Sequence, residues 1–261
     1  MHFLVTAGPT HEPIDAVRYI GNRSSGRMGL AIASAAVEAG HQTTLLLGPV
    51  PLSDREIDAV FPPPSPAVPG ADAATRSPSR PNPNGSELLR FRTSEELRVL
   101  LHRHWPRADV LIMAAAVADF RPANETISGK LERGAELNLH LVPVPDLLAE
   151  LKGCSRPDQR RVGFALEEPE RLAERATAKL VRKGLDAIVA NPLETMDAAG
   201  VAGQVFLPGG RVLRPPEWPQ RVPKEAFARW LLSALHDEWR VARGTRPSAP
   251  APEADGRTGL R

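Results

Sequence analysis

The sequence predicts an α/β fold: a Rossmann-like, doubly wound, mostly parallel sheet with helices on both faces and a small β-hairpin extension. Three observations predict it. Short apolar runs bounded by Gly-Pro pairs or charges recur along the chain. Longer segments with helical composition or spacing separate them. Residues 1–47 already read strand, helix, strand, a βαβ unit that favours parallel pairing.

The first run, HFLVTA, is closed by Gly8-Pro9 and reads as a buried strand followed by a turn. Residues 28–39 are rich in Ala, Leu and Ile and stop at Gly40, a helix C-cap. HQTTLLL (41–47) is the second strand, ended by Gly48-Pro49. Residues 61–86 are dominated by proline, which disfavours both ladder and helix, so they read as an extended or disordered surface insertion. A helix follows over 94–104. ADVLIMAAAV (108–117) is a third buried strand, and 119–136, without periodicity, is a long loop of the functional kind.

Residues 137–141 alternate as a strand, and 145–151 begin a helix on a proline. RVGFAL (161–166) is a strand. The helix over 168–183 places Leu172, Ala176 and Leu180 on one face. A strand follows over 185–190. Segments 204–207 and 211–213 flank Pro-Gly-Gly as a hairpin. A last helix spans 223–240. One domain over 1–242 is therefore expected, with a disordered tail over 243–261.

Composition narrows the function classes. Net charge is +2, the pI is about 9.0, and the basic residues are interspersed with acids. No basic run points to nucleic acid, and no segment has membrane-spanning length. The N-terminus is too short and too soon interrupted for a signal peptide. A single cysteine, Cys154, rules out an internal disulfide framework, fits a reducing compartment, and reads as a semi-buried, inert thiol. A cytoplasmic location is the expectation.

In a doubly wound sheet, ligands bind beyond the carboxyl ends of the strands. The unusual segments fall there. YIGNRSSGRMG (19–29) precedes the first helix. Unpaired N–H groups at a helix start attract anions, and Gly26 and Gly29 allow close backbone approach. Ser24 and Ser25 offer hydroxyls, Arg23 and Arg27 pair with anions, and Asn22 carries both a donor and an acceptor. The same residues also serve as a polar helix cap. The spacing from Gly8 to Gly29 is too long for a compact dinucleotide fingerprint.

The run Ala114, Ala115, Ala116 lets a flat ring pack on backbone, and Asp119 beside it suits a metal ion, a ribose hydroxyl or a turn cap. Lys130 sits in the next loop, over a phosphate site or simply in solvent. Lys179 and Lys183 share a helix face, towards a triphosphate or towards water. His102 and His104 do not share a face and make no metal pair.

Together these motifs resemble one family. TAGPTHEPIDAVRYIGNRSSGRMG, AAAVADFRP, a loop lysine, VGFALE and K-x-x-x-K-x-x-D-x-I-V-A-N follow in the order seen in phosphopantothenate–cysteine ligases. The likeness runs over most of 3–235, outside the Pro-rich insertion. It implies activation of 4′-phosphopantothenate by CTP or ATP as an acyl-nucleotide, then capture by L-cysteine, in coenzyme A synthesis. It also implies Mg2+, a homodimer, and the stand-alone form without flavin.

By resemblance Asn22 meets the acyl-nucleotide; the anion-pairing chemistry of Arg23 and Arg27 puts them beside the substrate. Lys130 belongs to a flap that closes over the intermediate. Nucleotide positions implied by the resemblance are Asp119, Lys130, Val144, Pro145, Asp146, Leu147, Phe164, Lys179 and Lys183; the loop chemistry above adds Gly8, Ser24, Ser25, Gly26, Ala114, Ala115 and Ala116, with Asp119 the metal contact through the nucleotide. The pattern departs from the family at three places. Lys130 stands alone in SGKLERG, Val144 replaces an Asn, and Pro192 replaces an Asp. Two other readings are carried forward: a non-catalytic nucleotide-binding module, and a nicotinamide-dependent reductase. The reductase lacks its glycine turn and has only Tyr19 to supply a catalytic tyrosine.

Overall fold

The computed structural model describes residues 1–62, 84–123, 129–132, 134, 137–195, 198 and 200–244. Most of the insertion and of the tail therefore lies outside the described residues. The central sheet is built from β1 (His2–Ala7), β4 (Gln42–Leu47), β5 (Glu87–Arg90), β6 (Val110–Met113), β9 (Arg160–Glu167), β10 (Ala187–Pro192), β12 (Gln204–Phe206) and β13 (Val212–Leu213). Their order across the sheet is β13-β12-β10-β9-β6-β1-β4-β5. The six strands from β5 to β10 pair in parallel, and β12 and β13 close the far edge antiparallel. This is the expected doubly wound order with a terminal hairpin.

The period-two alternation of the strands divides the core between two faces. Phe3, Val5, Leu45, Leu47, Val110, Ile112 and Val189 point to one face, against α1 (Arg27–Glu38) and α6 (Lys224–Gly244). Leu4, Leu46, Leu111, Met113 and Ile188 point to the other, against α3 (Ser94–His104), α4 (Leu147–Glu150) and α5 (Leu172–Lys183). The expected stripe of Leu172, Ala176 and Leu180 is the buried side of α5. Gly29 packs α1 onto β1 so closely that a Cβ there would lie 2.4 Å from the Ala7 Cβ.

Several expectations are corrected. Residues 137–140 are not a strand, and Leu137 and Leu139 are exposed. The strand is β8 (Leu141–Pro143), which pairs with β7 (Phe120–Pro122) inside the supposed loop. The helix expected from 145 begins at Leu147 on the cap Asp146, and a 3-10 turn continues it to Cys154. Cys154 is exposed, not semi-buried, because that turn ends at the surface. The third strand stops at Met113, and 114–117 leave the sheet. The first residue of the insertion, Phe61, is buried in the core, and α6 carries two residues of the expected tail, 243 and 244, in helix.

Elements the sequence did not announce are short. They are the hairpin β2 (His11–Pro13) and β3 (Tyr19–Gly21), the turn α2 (Asp54–Asp58), edge strand β5, and the pair β11 (Gly200–Val201) and β14 (Val222–Pro223).

At the amino ends of the strands lies a buried polar chain. His2 Nε2 is 2.8 Å from Thr44 Oγ1, which donates to Glu87 Oε1 at 3.2 Å, and His104 Nδ1 lies 3.3 Å from the same oxygen. Burial lowers the pKa of both histidines, and of His11 and His41 elsewhere, below the usual 6.5. The folded chain then binds these protons less tightly than the unfolded chain. Their contribution is complete above the unfolded pKa and is lost as pH falls through that value towards the folded one. The urea midpoint is expected to be lower at about pH 5.5 than at about pH 7.5, with a smaller gap in His104→Gln. An equal or higher midpoint at the lower pH would contradict this.

Candidate active site

The loops that leave β1 and β6 run side by side beyond the sheet. Ala116 N–H donates to the Gly8 carbonyl at 2.9 Å, and Thr10 N–H to the Ala116 carbonyl at 3.3 Å. Thr6 and Thr10 hydroxyls accept from the N–H groups of Ala115 and Ala118, each at 3.0 Å. Gly8 turns the chain here with φ +83°, and a Cβ on it would meet Val50 Cγ1 at 2.7 Å. Gly8 is therefore part of the frame, behind the cavities.

Two cavities open on this frame and share Ala115, Ala116 and Phe164. The first, about 240 Å³, is lined by Arg23, Ser24, Ser25, Gly26, Arg27 and Ala114, and also by Asn191, Thr195 and Lys224. Gly26 precedes α1 at φ +71°, a left-handed position that glycine adopts without strain. Unlike α2 and α3, which start on capping boxes at Ser53 and Thr93, α1 has no side-chain cap and no acid in its first turn. Its first residues, from Gly26 to Gly29, line the cavity, and N–H groups at a helix start without such a cap suit an anion. Arg27 rests on Glu56 at 2.7 Å at the cavity edge. Hydrogen bonds from Ser53 and from Arg27 hold Glu56 below its ordinary pKa.

The second cavity, about 390 Å³, is lined by Asn22, Asp119, Val144, Pro145, Asp146, Leu147, Lys179 and Lys183. Asn22 donates from Nδ2 to the Val117 carbonyl at 2.8 Å, which fixes its amide beside the alanine run. Asp119 is exposed, and its carbonyl accepts from Val144 N–H at 2.9 Å, tying 119 to 144. Each lysine rests on a carboxylate. Lys179 Nζ lies 2.6 Å from Glu167 Oε1, and Lys183 Nζ 3.0 Å from Asp146 Oδ2. Burial pushes the Glu167 carboxyl up, but hydrogen bonds from Lys179 and Arg175 outweigh it, so Glu167 stays ionised with its pKa lowered. The cations thus face the cavity already oriented.

The sequence-predicted residues fall into these two lobes, with two exceptions. Gly8 lies behind them. Lys130 lines neither; it is exposed, between residues tied to the β2–β3 hairpin. Residues not anticipated are Thr195, Lys224 and Arg182. Thr195 and Lys224 carry no local signal, and Arg182 stands beside the anticipated Lys183. Asn191, near the carboxyl end of β10, lines the first lobe, and its Oδ1 is buried without a hydrogen-bond partner. Among the described residues no three His, Cys, Asp or Glu side chains cluster as a metal cage.

A doubly wound sheet whose switch-point crevice is lined by a helix N-terminus and a pair of lysines defines an α/β protein with a ligand crevice suited to anions. The chain belongs to the family described as DNA/pantothenate metabolism flavoprotein C-terminal domain, whose model matches residues 1–61 and 73–237. It is 38% identical over 191 residues to a cysteine/cysteine sulfinic acid decarboxylase from an unknown prokaryotic organism, covering 73% of this chain and 45% of that one. It is 36% identical over 198 residues to the coenzyme A biosynthesis bifunctional protein CoaBC of Mycobacterium tuberculosis (strain ATCC 25618 / H37Rv), covering 72% and 41%. The chain thus spans less than half the length of these relatives. Among solved structures, the C-terminal domain of a CoaBC protein is similar at 29% identity and a TM-score of 0.65, covering 92% of this chain and 96% of that one.

Gly26→Ala tests the turn into α1. The added methyl meets Val50 Cγ1 at 2.7 Å in a left-handed backbone. The substitution is expected to cost about 1–3 kcal/mol, seen as a lower urea midpoint at unchanged m-value. An unchanged midpoint would contradict the left-handed turn.

Proposed function

We propose that the chain carries phosphopantothenate–cysteine ligase activity. The observation that carries this is the two-lobed crevice. One lobe has an uncapped helix start with Arg23 and Arg27, the other has Asn22, Asp119, Lys179 and Lys183, and the two meet at Ala115, Ala116 and Phe164. That arrangement suits a nucleoside triphosphate beside a carboxylate substrate. Membership of the family supports the choice of reaction.

In this reading the nucleoside lies in the second lobe, with the backbone of 144–147 and the two lysines as its partners. The triphosphate runs past Phe164 to Ser24, Ser25 and the start of α1. A carboxylate oxygen of 4′-phosphopantothenate attacks the α-phosphorus and pyrophosphate leaves. The cysteine amine then attacks the acyl carbon and the nucleoside monophosphate leaves. Asn22 orients the reacting carboxyl, and the cations offset charge that grows on the phosphates. Mg2+ is held in such sites by one or two carboxylates together with substrate phosphates; of the two carboxylates lining the second lobe, Asp146 pairs with Lys183 and Asp119 is the one assigned to the metal in this reading. CTP is the preferred nucleotide in this reading, ATP the alternative.

A homodimer is also proposed. Val17, Tyr19, Phe120, Leu139 and Leu141 are exposed on or beside the two hairpins β2–β3 and β7–β8, which pack together off the sheet. No helix among the described residues is long and apolar enough to cross a membrane. A cytoplasmic location completes the proposal. One observation favours a second reading, a nucleotide-binding module without the chemistry: Lys130 lies outside both lobes.

Purified protein given 4′-phosphopantothenate, cysteine, magnesium and CTP or ATP is expected to release pyrophosphate only when phosphopantothenate is present. Asn22→Asp and Lys130→Gln are expected to lower turnover roughly a hundredfold. Nucleotide binding without pyrophosphate release would favour the module. Sedimentation at micromolar concentration is expected to show a dimer, and a monomer alone would remove that part of the proposal.

A further inference from the structure

The tip of the β2–β3 hairpin holds a carboxylate that its own turn does not use up. Residues 16–19 around it are exposed, yet Asp15 is 1% exposed. Asp15 Oδ1 closes the turn, accepting from Val17 N–H at 2.8 Å and Arg18 N–H at 2.6 Å. Oδ2 reaches across the chain instead. It accepts from Leu131 N–H at 3.0 Å and from Arg18 Nη1 at 2.5 Å. Two further bonds join the same segments. Ala16 N–H donates to the Gly129 carbonyl at 3.0 Å, and Arg18 Nη2 to the Leu131 carbonyl at 3.3 Å. Lys130 is thus bracketed, with the residue on each side tied to the hairpin. Burial pushes the Asp15 carboxyl up, but hydrogen bonds from the backbone of Arg18, Leu131 and Val17, and the Arg18 charge, hold it at about 2.

The hairpin is itself rooted. His11 N–H donates to the Arg92 carbonyl at 2.7 Å, and the buried Glu12 carboxylate accepts from Ser94 N–H at 2.9 Å at the start of α3. Its second strand ends at Gly21, one residue before Asn22. One rooted hairpin therefore carries Asn22 at its base and grips both neighbours of Lys130 at its tip.

We propose that Asp15 is a positioning residue: it fastens the 129–131 segment to the hairpin and so sets the place of Lys130 relative to Asn22. The kinetic consequence rests on the ligase reading; the fastening itself does not.

Asp15→Asn separates this role from turn formation. The amide keeps one oxygen for the turn, and the group that replaces Oδ2 is a donor that cannot accept from Leu131 N–H. Trypsin cuts after Lys130, so limited proteolysis of the full chain reads the fastening. Exposed Lys152, in the 3-10 turn after α4, serves as the internal control. In Asp15→Asn, cleavage at Lys130 is expected to rise about tenfold while cleavage at Lys152 is unchanged, as expected for loss of a charge-assisted bond. Arg18→Ala, which removes one donor and leaves the carboxylate, is expected to raise it about threefold and stands in if Asp15→Asn does not fold. In the pyrophosphate assay kcat is expected to fall about tenfold with KM for phosphopantothenate retained. A folded variant with unchanged cleavage at Lys130, or with an equal rise at Lys152, overturns the proposal. Faster cleavage at Lys130 in Asp15→Asn, where the unsubstituted protein itself releases no pyrophosphate, keeps the fastening and rejects the ligase reading.

Discussion

Between β1 and β6 the winding of the sheet reverses. The chain leaves β1 towards α1 on one face, and the connection entering β6 comes from α3 on the other. The two loops beyond these strands must part, and a crevice opens between the helical layers. Backbone groups inside it need partners, and the loops supply them to each other. Gly8 and Ala116, Thr10 and Ala118, and Thr6 and Ala115 pair across the gap. That stitching makes the crevice floor rigid. It leaves small side chains, Ala114, Ala115 and Ala116, as the surface on which a ring or a phosphate chain can lie.

Around this floor the charges are arranged in held pairs. Lys179 rests on Glu167, Lys183 on Asp146, and Arg27 on Glu56. A flexible lysine loses side-chain entropy when a ligand fixes it, and these are partly fixed beforehand. Glu167 is 7% exposed and carries two cations, so it stays charged and keeps Lys179 in place. An anionic ligand meets N–H groups, lysines and an arginine whose positions the fold has already set. Such preorganisation is what the proposed acyl-nucleotide chemistry requires, since donors that must first reorient contribute less to the transition state.

The parallel sheet was legible in the sequence because its strands are buried on both sides. HFLVTA, TTLLL and VLIM are continuous apolar runs that few other structures accommodate. Helix α5 was legible because Leu172, Ala176 and Leu180 recur every four residues on one face. The short pairs β2–β3, β7–β8 and β11–β14 were not. With two or three residues each, their pairing is decided by distant partners such as Arg92 and Ser94, which no local pattern records. The site was legible where functional groups come in runs, as at 22–29 and 114–119. Thr195 and Lys224 were missed because they are single residues brought in by tertiary packing. Asp15 read as part of a motif, but its burial and its contact with Leu131 exist only once two segments over a hundred residues apart have met.

Whether this crevice activates a carboxylate as an acyl-nucleotide is tested most directly by oxygen transfer. 4′-Phosphopantothenate with an 18O-labelled carboxylate would be turned over with cysteine, magnesium and CTP or ATP, and the products analysed by mass spectrometry. One labelled oxygen in the released nucleoside monophosphate, and none in pyrophosphate, is the predicted result, because the carboxylate oxygen that attacked phosphorus leaves with the nucleotide. Label in inorganic phosphate, or product formed with an unlabelled monophosphate, would contradict it.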